Sequence, residues 1–407
     1  MDKKYSLTDE FNYIDGELSV GRIKITELHK QMGGSPFYVY DKRIINDRIQ
    51  YLRTLLPSTL KISYSVKANP FKDLLRFLVP LVEGFDVASR SEFLNMLDLG
   101  VSSKEISYAG PGKRAEDIEL AVLSGITIVI ESEEQLKKTI FSAEKLGLIP
   151  NIALRINPKF SLKGSGLKMA GVPSQFGLDE DLIPGFFSMI RSANVKLVGF
   201  HLYGGTQCLD AKAIVEFQRN SFDLVKKISD LYDDEISWIK LGGGFGVPYY
   251  EGERPLEMEL ISENLYKICE KSKNELNAKV DLELGRYLVA TSGIYVCQIL
   301  DIKRSCGKNF IVCDGGLNHH LAATGNFGQV FRKNYPIFTA KNLSEKKTDV
   351  YCIVGPLCTS IDILADGVYL SPPNIGDLIV VCQSGAYGLT ASPNKFSGQI
   401  DAKEILV

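Results

Sequence analysis

The sequence predicts an α/β fold, a (β/α)8 TIM-type barrel followed by an antiparallel β domain. Between residues 61 and 284, eight short apolar or β-branched runs alternate with stretches whose apolar residues recur three and four positions apart. After residue 286 the short apolar runs continue without amphipathic stretches between them. Eight alternating βα units are typical of a barrel, whereas strands without intervening helices indicate a separate sheet.

The elements follow in chain order. The predicted barrel strands cover residues 61–66, 84–88, 105–109, 126–131, 151–156, 196–203, 237–241 and 280–284. The clearest helices between them are predicted over 114–124 and 211–231. The strands of the second domain are predicted over 293–300, 309–313, 350–354 and 377–382. A further strand over 35–40 is expected to join that second sheet.

The chain is therefore expected to have three parts. Its 407 residues exceed what one hydrophobic core usually supports. Residues 1–40 form an N-terminal segment that pairs with the β domain, residues 41–285 form the barrel, and residues 286–407 form the β domain.

The composition narrows the functional class. A net charge of −2 argues against a general nucleic-acid binder, which needs clustered Lys and Arg. No apolar run approaches the roughly 20 residues of a membrane span, and the N-terminus has no apolar signal core. Eight cysteines without a C-x-x-C pair favour reduced thiols over disulfides or a zinc site. We expect a cytoplasmic protein without membrane insertion.

Polar features follow three of the predicted barrel strands. Lys67 comes after the first, where a barrel presents a Schiff-base lysine to a cofactor. Three consecutive glycines, from Gly242, follow the seventh and suit a phosphate cup, although a tight turn would also need them. Glu283 and Arg286 lie at the end of the eighth predicted strand. Glu283 could contact a heterocyclic nitrogen and Arg286 a phosphate, or the two could form a structural salt bridge. An amine, a phosphate cup, a carboxylate and an arginine are what pyridoxal 5′-phosphate requires.

At this point the chain resembles the fold-type III pyridoxal-phosphate decarboxylases, which include ornithine and diaminopimelate decarboxylases. The resemblance covers nearly the whole chain and rests on separated motifs in the same order: YSVKAN at 64–69, FDVAS at 85–89, HLYGGTQ at 201–207, GGGF at 242–245, ELGR at 283–286, GPLC at 355–358 and GAYG at 385–388.

The resemblance implies roles for individual residues. Lys67 would form the Schiff base with the cofactor, and Glu283 would partner the pyridinium nitrogen. The remaining cofactor contacts that it implies are Asp86, Arg155, His201, Tyr203, Thr206, Gly243, Gly244, Gly285, Arg286 and Tyr387. In this set Gly243, Gly244, Arg286 and Tyr387 would hold the phosphate, assisted by Thr206, where the family usually has serine.

Cys358 occupies the position at which relatives supply a thiol from the second subunit to the substrate's Cα. The resemblance therefore implies a homodimer with shared active sites. It also distinguishes decarboxylases from alanine racemases, which share the barrel and the lysine but place an arginine at the ring nitrogen. A carboxylate there keeps the ring protonated and able to accept electrons, so Glu283 favours decarboxylation over the racemase alternative.

Several positions depart from the best-known relatives. Thr359 replaces the acidic residue that binds a distal ammonium, and Ala322 aligns with an arginine that grips a distal carboxylate. Tyr203 replaces a histidine over the ring. His320 is a candidate substrate contact; together with His319 it has no third ligand nearby, so no metal is expected.

These departures, with GLKMAGVPSQFG at 166–177 and DGGLNHH at 314–320, resemble a subgroup that acts on aminoacyl groups tethered to acyl-carrier proteins or is encoded with exosortase systems. We expect an α-decarboxylase of an amino acid or of a carrier-linked glutamyl group. A free diamino acid such as diaminopimelate remains an alternative substrate. A racemase and a non-catalytic cofactor carrier remain alternative functions.

Overall fold

The computed structural model describes residues 10–232, 234–327, 333–341 and 347–407. These divide into two compact units, which we name the barrel unit and the sheet unit. The barrel unit comprises Ile49–Gly246 and Pro255–Gly285. The sheet unit comprises the described residues up to Arg48, the segment Val247–Arg254, and the chain from Arg286 to its end. The segment Val247–Arg254 was predicted within the barrel and instead clusters with the sheet unit.

The first elements of the chain are β1 (Asn12–Ile14), β2 (Glu17–Val20), β3 (Ile23–Lys24), α1 (Ile25–Gln31) and β4 (Phe37–Tyr40). There follow α2 (Lys42–Leu55), β5 (Lys61–Ser65), α3 (Lys72–Leu78), β6 (Gly84–Val87), α4 (Arg90–Asp98), β7 (Ile106–Tyr108), α5 (Ala115–Ser124), β8 (Thr127–Ile130), α6 (Glu133–Leu146), β9 (Asn151–Asn157), β10 (Leu167–Lys168), β11 (Leu178–Asp179), α7 (Ile183–Arg191), β12 (Lys196–Leu202), β13 (Gly205–Thr206), α8 (Ala211–Ser229), β14 (Trp238–Gly242), α9 (Met258–Glu275) and β15 (Lys279–Leu284). The last are α10 (Arg286–Val289), β16 (Gly293–Ser305), β17 (Lys308–Cys313), β18 (Ile337–Thr339), β19 (Asp349–Val354), β20 (Ile363–Leu370), β21 (Leu378–Val381) and β22 (Lys403–Leu406).

The barrel is closed by eight parallel strands, in the order β9, β12, β14, β15, β5, β6, β7 and β8, with β8 pairing back onto β9. All eight predicted strands are present, which confirms the predicted barrel. Side chains alternate along each strand. In β5, Ile62 and Tyr64 are fully buried apolar residues, whereas Ser63 and Ser65 donate to Asp281 and Glu283 of the neighbouring strand. One face of β5 is therefore apolar, and the other carries polar side chains.

The sheet unit corrects the prediction of an antiparallel domain, because its sheet is mixed. Most of its pairs are antiparallel, but β17 pairs with β19, and β4 with β22, in parallel. A parallel pair needs a long connection, and the chain between β17 and β19 supplies one. Strand β16 runs longer than predicted and pairs with β4 and β21 in its first half and with β17 in its second. Strands β18, β20 and β22 were not predicted.

In the described part of the chain, none of the helices is both long enough and apolar enough to cross a bilayer.

Gly199 generates a stability prediction for the barrel. A Cβ at this position of β12 would overlap the carbonyl oxygen of Trp238 on the adjacent strand, so the two strands could not keep their register. We expect Gly199→Ala to lower the free energy of unfolding by about 3 kcal/mol, measured by urea denaturation.

Gly185 provides the matched control. It lies exposed in α7 with open space where a Cβ would sit. Gly185→Ala should leave stability unchanged or raise it by about 1 kcal/mol, because alanine favours the helix. Equal effects of the two substitutions would contradict the packing assigned to Gly199.

Candidate active site

Lys67 and Glu283 meet within the barrel unit. Lys67 lies in the short 3-10 turn that follows β5, and its Nζ is 3.7 Å from Oε1 of Glu283 at the end of β15. The Lys67 side chain is 38% exposed, whereas that of Glu283 is 2% exposed. The amine is thus accessible to a ligand, and the carboxylate beneath it is shielded from water.

Four neighbours set the charge of Glu283. Ser65 donates a 3.0 Å hydrogen bond to Oε1, and Nε2 of His201 lies 3.1 Å from Oε2. Burial alone would raise the pKa of Glu283, but the charges of Lys67 and Lys240 and the contact with His201 outweigh it and hold the pKa well below its ordinary value. Glu283 is therefore ionised at neutral pH.

Tyr203 lies beside this pair. Nζ of Lys67 is 5.3 Å from the centre of its ring, and the guanidinium of Arg155 is 5.9 Å from it. Arg155 also pairs with Glu131 at 3.2 Å and stacks on Phe176 at 4.9 Å. Sequence reasoning missed Glu131, whose position at the end of the fourth predicted strand was the available signal.

Asp86 is hydrogen-bonded to Lys240 and Ser107. Its Oδ1 accepts from Nζ of Lys240 and from Oγ of Ser107, both at 3.0 Å. Lys240 was also missed, because it stands within an apolar strand and has no turn residue beside it. The structure thus places Asp86 in a buried network with Lys240.

The glycine run is required by close packing. A Cβ at Gly243 would lie 2.7 Å from the carbonyl oxygen of Glu283, and one at Gly244, where φ is +62°, would lie 2.5 Å from that of Gly205. The Gly243 N–H already donates to the Glu283 carbonyl, so it is not available to a phosphate. Gly285 likewise has no room for a side chain, because a Cβ there would lie 2.9 Å from that of Ala68 in the Lys67 turn.

Thr206 is half-buried in β13, which pairs with Leu167–Lys168 of β10. This pairing joins the segment that follows β9 to the residues that follow β12.

Arg286 is the last residue of the ELGR motif and the first residue of α10, in the sheet unit. Arg286 is half-buried; its guanidinium donates a 2.7 Å hydrogen bond to the Tyr249 hydroxyl and lies 4.6 Å from the centre of the Tyr387 ring. Burial lowers the pKa of Arg286, but the surrounding tyrosines outweigh it and the pKa stays above its ordinary value. A half-buried cation surrounded by tyrosines suits a dianionic ligand group. Tyr249 was missed by sequence reasoning, although it follows the glycine run closely.

Cys358 and Thr359 lie in the turn after β19, the former exposed and the latter half-buried. The buried Asp362 carboxylate fixes this turn, because it accepts from the Leu357 N–H at 2.8 Å. It also accepts from the Leu317 N–H. Asp362 thereby ties the Cys358 turn to the loop that carries His319 and His320.

His320 lies in the interior of the sheet unit. It is fully buried, its Nε2 lies 2.9 Å from Oγ of Ser384, and its Nδ1 accepts from the Ala323 N–H. Burial lowers the pKa of His320 to about 3, so the ring is neutral. Both ring nitrogens are therefore engaged within the sheet unit, and the contact of His320 with substrate stays a prediction.

Comparisons with known proteins agree with this geometry. Residues 42–290 match the family model described as the pyridoxal-dependent decarboxylase, pyridoxal binding domain. The L-glutamyl-[BtrI acyl-carrier protein] decarboxylase of Niallia circulans is 35% identical over 96% of this chain and 92% of that protein. The diaminopimelate decarboxylase of Aquifex aeolicus is 30% identical over 98% and 94%. The solved diaminopimelate decarboxylase of M. jannaschii, in complex with L-lysine, superposes with a TM-score of 0.88 at 25% identity and covers 98% of this chain and 93% of that one.

The charge of Glu283 generates a pH prediction for the cofactor-free protein. Glu283→Gln should lower the free energy of unfolding at pH 7 by about 1–2 kcal/mol, since Lys67 and His201 lose their anionic partner. The folded-state pKa is depressed below the ordinary 4.5, so this contribution is complete above that pH and is lost as the pH falls through the folded-state value.

Urea denaturation at several pH values measures the difference between the two proteins. It should stay constant from neutral pH down to about pH 5 and shrink at more acidic pH. The exposed Glu263→Gln, on α9, should show no such difference. A Glu283→Gln effect that grows on acidification would contradict the assignment.

Proposed function

Because the chain belongs to the pyridoxal-dependent decarboxylases, we propose that it removes the α-carboxylate of a glutamyl group carried on an acyl-carrier protein. The predictions of a fold-type III decarboxylase and of pyridoxal 5′-phosphate as its cofactor are confirmed by these relatives. The protein is a pyridoxal-phosphate-dependent decarboxylase. The substrate and the roles of individual residues are our proposals.

The cofactor fits the residues present. The barrel unit offers an accessible amine at Lys67 and, next to it, a buried carboxylate at Glu283; the sheet unit, taken by itself, offers a half-buried guanidinium at Arg286. When bound, the cofactor supplies an electron sink for the charge that remains at Cα after carbon dioxide leaves. Lys67 would hold it covalently, while Arg286 and Tyr387 would hold its phosphate.

Glu283 is the single observation that carries the reaction type. A carboxylate that stays ionised can hold a proton on a heterocyclic nitrogen, and this is what electron withdrawal requires. A racemase would need a weaker sink. The remaining cofactor contacts that we propose are Asp86, Arg155, His201, Tyr203, Thr206, Gly244 and Gly285.

The substrate proposal rests on neutral positions in the sheet unit. Thr359 cannot balance a distal ammonium, and Ala322 cannot grip a distal carboxylate. A tethered glutamyl group ends in an uncharged linkage and needs neither partner. The name of the Niallia circulans relative supports this substrate class, whereas the diaminopimelate decarboxylases among the relatives support the alternative of a free diamino acid.

We also propose a homodimer in which Cys358 of one subunit serves the site built on Lys67 of the other. The exposed position of Cys358 is compatible with that role. Its thiol would return a proton to Cα.

All eight cysteines are free, which supports a reducing, cytoplasmic setting.

The substrate proposal is tested by release of carbon dioxide from the purified holoenzyme. Glutamyl-loaded carrier protein should be turned over with a kcat/KM at least about a hundredfold above free diaminopimelate, lysine or glutamate, the equivalent of roughly 3 kcal/mol of discrimination. Unloaded carrier protein is the control. Efficient turnover of free diaminopimelate, without turnover of the carrier substrate, would establish the alternative, and chiral inversion without carbon dioxide would establish a racemase.

Shared sites predict complementation between two impaired variants. Lys67→Ala should lose both the visible absorbance of bound cofactor and all turnover, and Cys358→Ala should bind cofactor but turn over slowly. After the two are mixed and allowed to exchange subunits, half of the dimers carry one intact site, so about a quarter of wild-type activity should return.

Mixing each variant with itself is the control. If the mixture shows only the sum of the two parent activities while subunit exchange is demonstrated, the sites are not shared in this way.

A further inference from the structure

Lys240 is a lysine at the centre of the barrel unit that the proposed chemistry does not use. It lies in the middle of β14, and its side chain has no exposure to water. Long charged side chains are almost never fully buried unless they are paired. Its position therefore calls for a physical explanation beyond packing.

The ammonium of Lys240 is held by two direct partners. Nζ lies 3.0 Å from Oδ1 of Asp86 on β6 and 2.6 Å from Oγ of Ser107 on β7. Ser107 in turn donates to the same oxygen of Asp86, and Nζ also lies 5.5 Å from the centre of the Trp238 ring. The contacts thus come from three strands and close around the cation.

Two more carboxylates act on Lys240 from the adjacent strand. Asp281 is its register partner on β15, and Glu283 is the next residue on the same side of that strand. On the other side, Lys240 pairs in register with His201, which contacts Glu283. Asp281 is further held by Ser63 and Trp238.

The charges explain why this lysine stays protonated. Burial lowers the pKa of Lys240, but Asp86, Asp281 and Glu283 outweigh that effect and leave the pKa above its ordinary value. Conversely, Lys240 is one of the cations that keep Glu283 ionised. Three buried carboxylates could not remain charged together without such a cation, because desolvation of an unpaired charge is costly.

We propose that Lys240 is a positioning residue for the decarboxylation: its buried ammonium fixes Asp86 and supplies the positive charge that balances the carboxylates below the cofactor site. It contacts neither cofactor nor substrate. It acts through Glu283, whose proposed place beside the ring nitrogen is the part of the proposed function on which this inference rests. Changing the charge of Lys240 therefore changes the proton affinity at the cofactor.

The sign of that change distinguishes an electrostatic role from a packing role. Lys240→Met removes one positive charge at similar side-chain length, so protonation near Glu283 becomes easier. Asp86→Asn removes one negative charge, so protonation becomes harder. The Lys240→Met/Asp86→Asn double variant changes both and leaves the local net charge as it was.

The experiment is a pH titration of the visible absorbance of cofactor bound to the holoenzyme. Lys240→Met should move the midpoint to higher pH by roughly 0.5–1 unit, Asp86→Asn should move it to lower pH, and the double variant should return it to within about 0.2 unit of wild type. Lys279→Met, on an exposed lysine at the start of β15, is the matched control and should not move it.

Midpoints that all shift in one direction, or do not shift, would overturn the proposal even if the variants lose thermal stability. If Lys240→Met does not fold, Lys240→Gln removes the same charge and keeps a hydrogen-bond donor, so the upward shift expected of it decides the question. The titration needs no turnover, so a wrong assignment of the carrier-linked substrate would not affect it. Loss of the absorbance in wild type would instead count against the proposed function itself.

Discussion

The ion pair between Lys67 and the buried carboxylate of Glu283 is the interaction on which the rest of the site depends. A carboxylate at the centre of a barrel is expensive to ionise unless cations and donors surround it. Here Lys67, His201, Ser65 and Lys240 do so from β5 and the turn after it, from β12 and from β14, while Glu283 itself lies on β15. The closed parallel barrel is what brings these four strands to one point.

This arrangement explains why the interior of the barrel is polar, where TIM barrels are usually filled by branched apolar side chains. Asp281 and Glu283 on β15 are separated by one residue and face Ser63 and Ser65, which have the same spacing on β5. Successive polar pairs therefore stack along neighbouring strands. The pair of Ser65 and Glu283 lies beside Lys67. The pair of Ser63 and Asp281 lies next to Lys240, whose positive charge acts on both carboxylates.

Much of the fold was accessible from sequence because strand and helix periodicities are local properties. All eight barrel strands were predicted, and so was the position of Lys67 at a strand end. What was missed depends on long-range pairing: the parallel pairing of β4 with β22 joins the two ends of the chain, and nothing local indicates it. Lys240 and Tyr249 were missed for the same reason, since their partners are distant in sequence. The contacts of both ring nitrogens of His320 inside the sheet unit could not be foreseen either, because Ser384 is distant in sequence.

The ionised state of Glu283 beneath Lys67 can be observed by isotope-edited infrared spectroscopy. Protein with labelled glutamate carboxyls should be compared with the Glu283→Gln variant at neutral pH, with and without bound cofactor. Our account predicts that the difference spectrum contains a carboxylate band assigned to Glu283 and no band from a protonated carboxyl group. A protonated carboxyl band that disappears in the variant would contradict it.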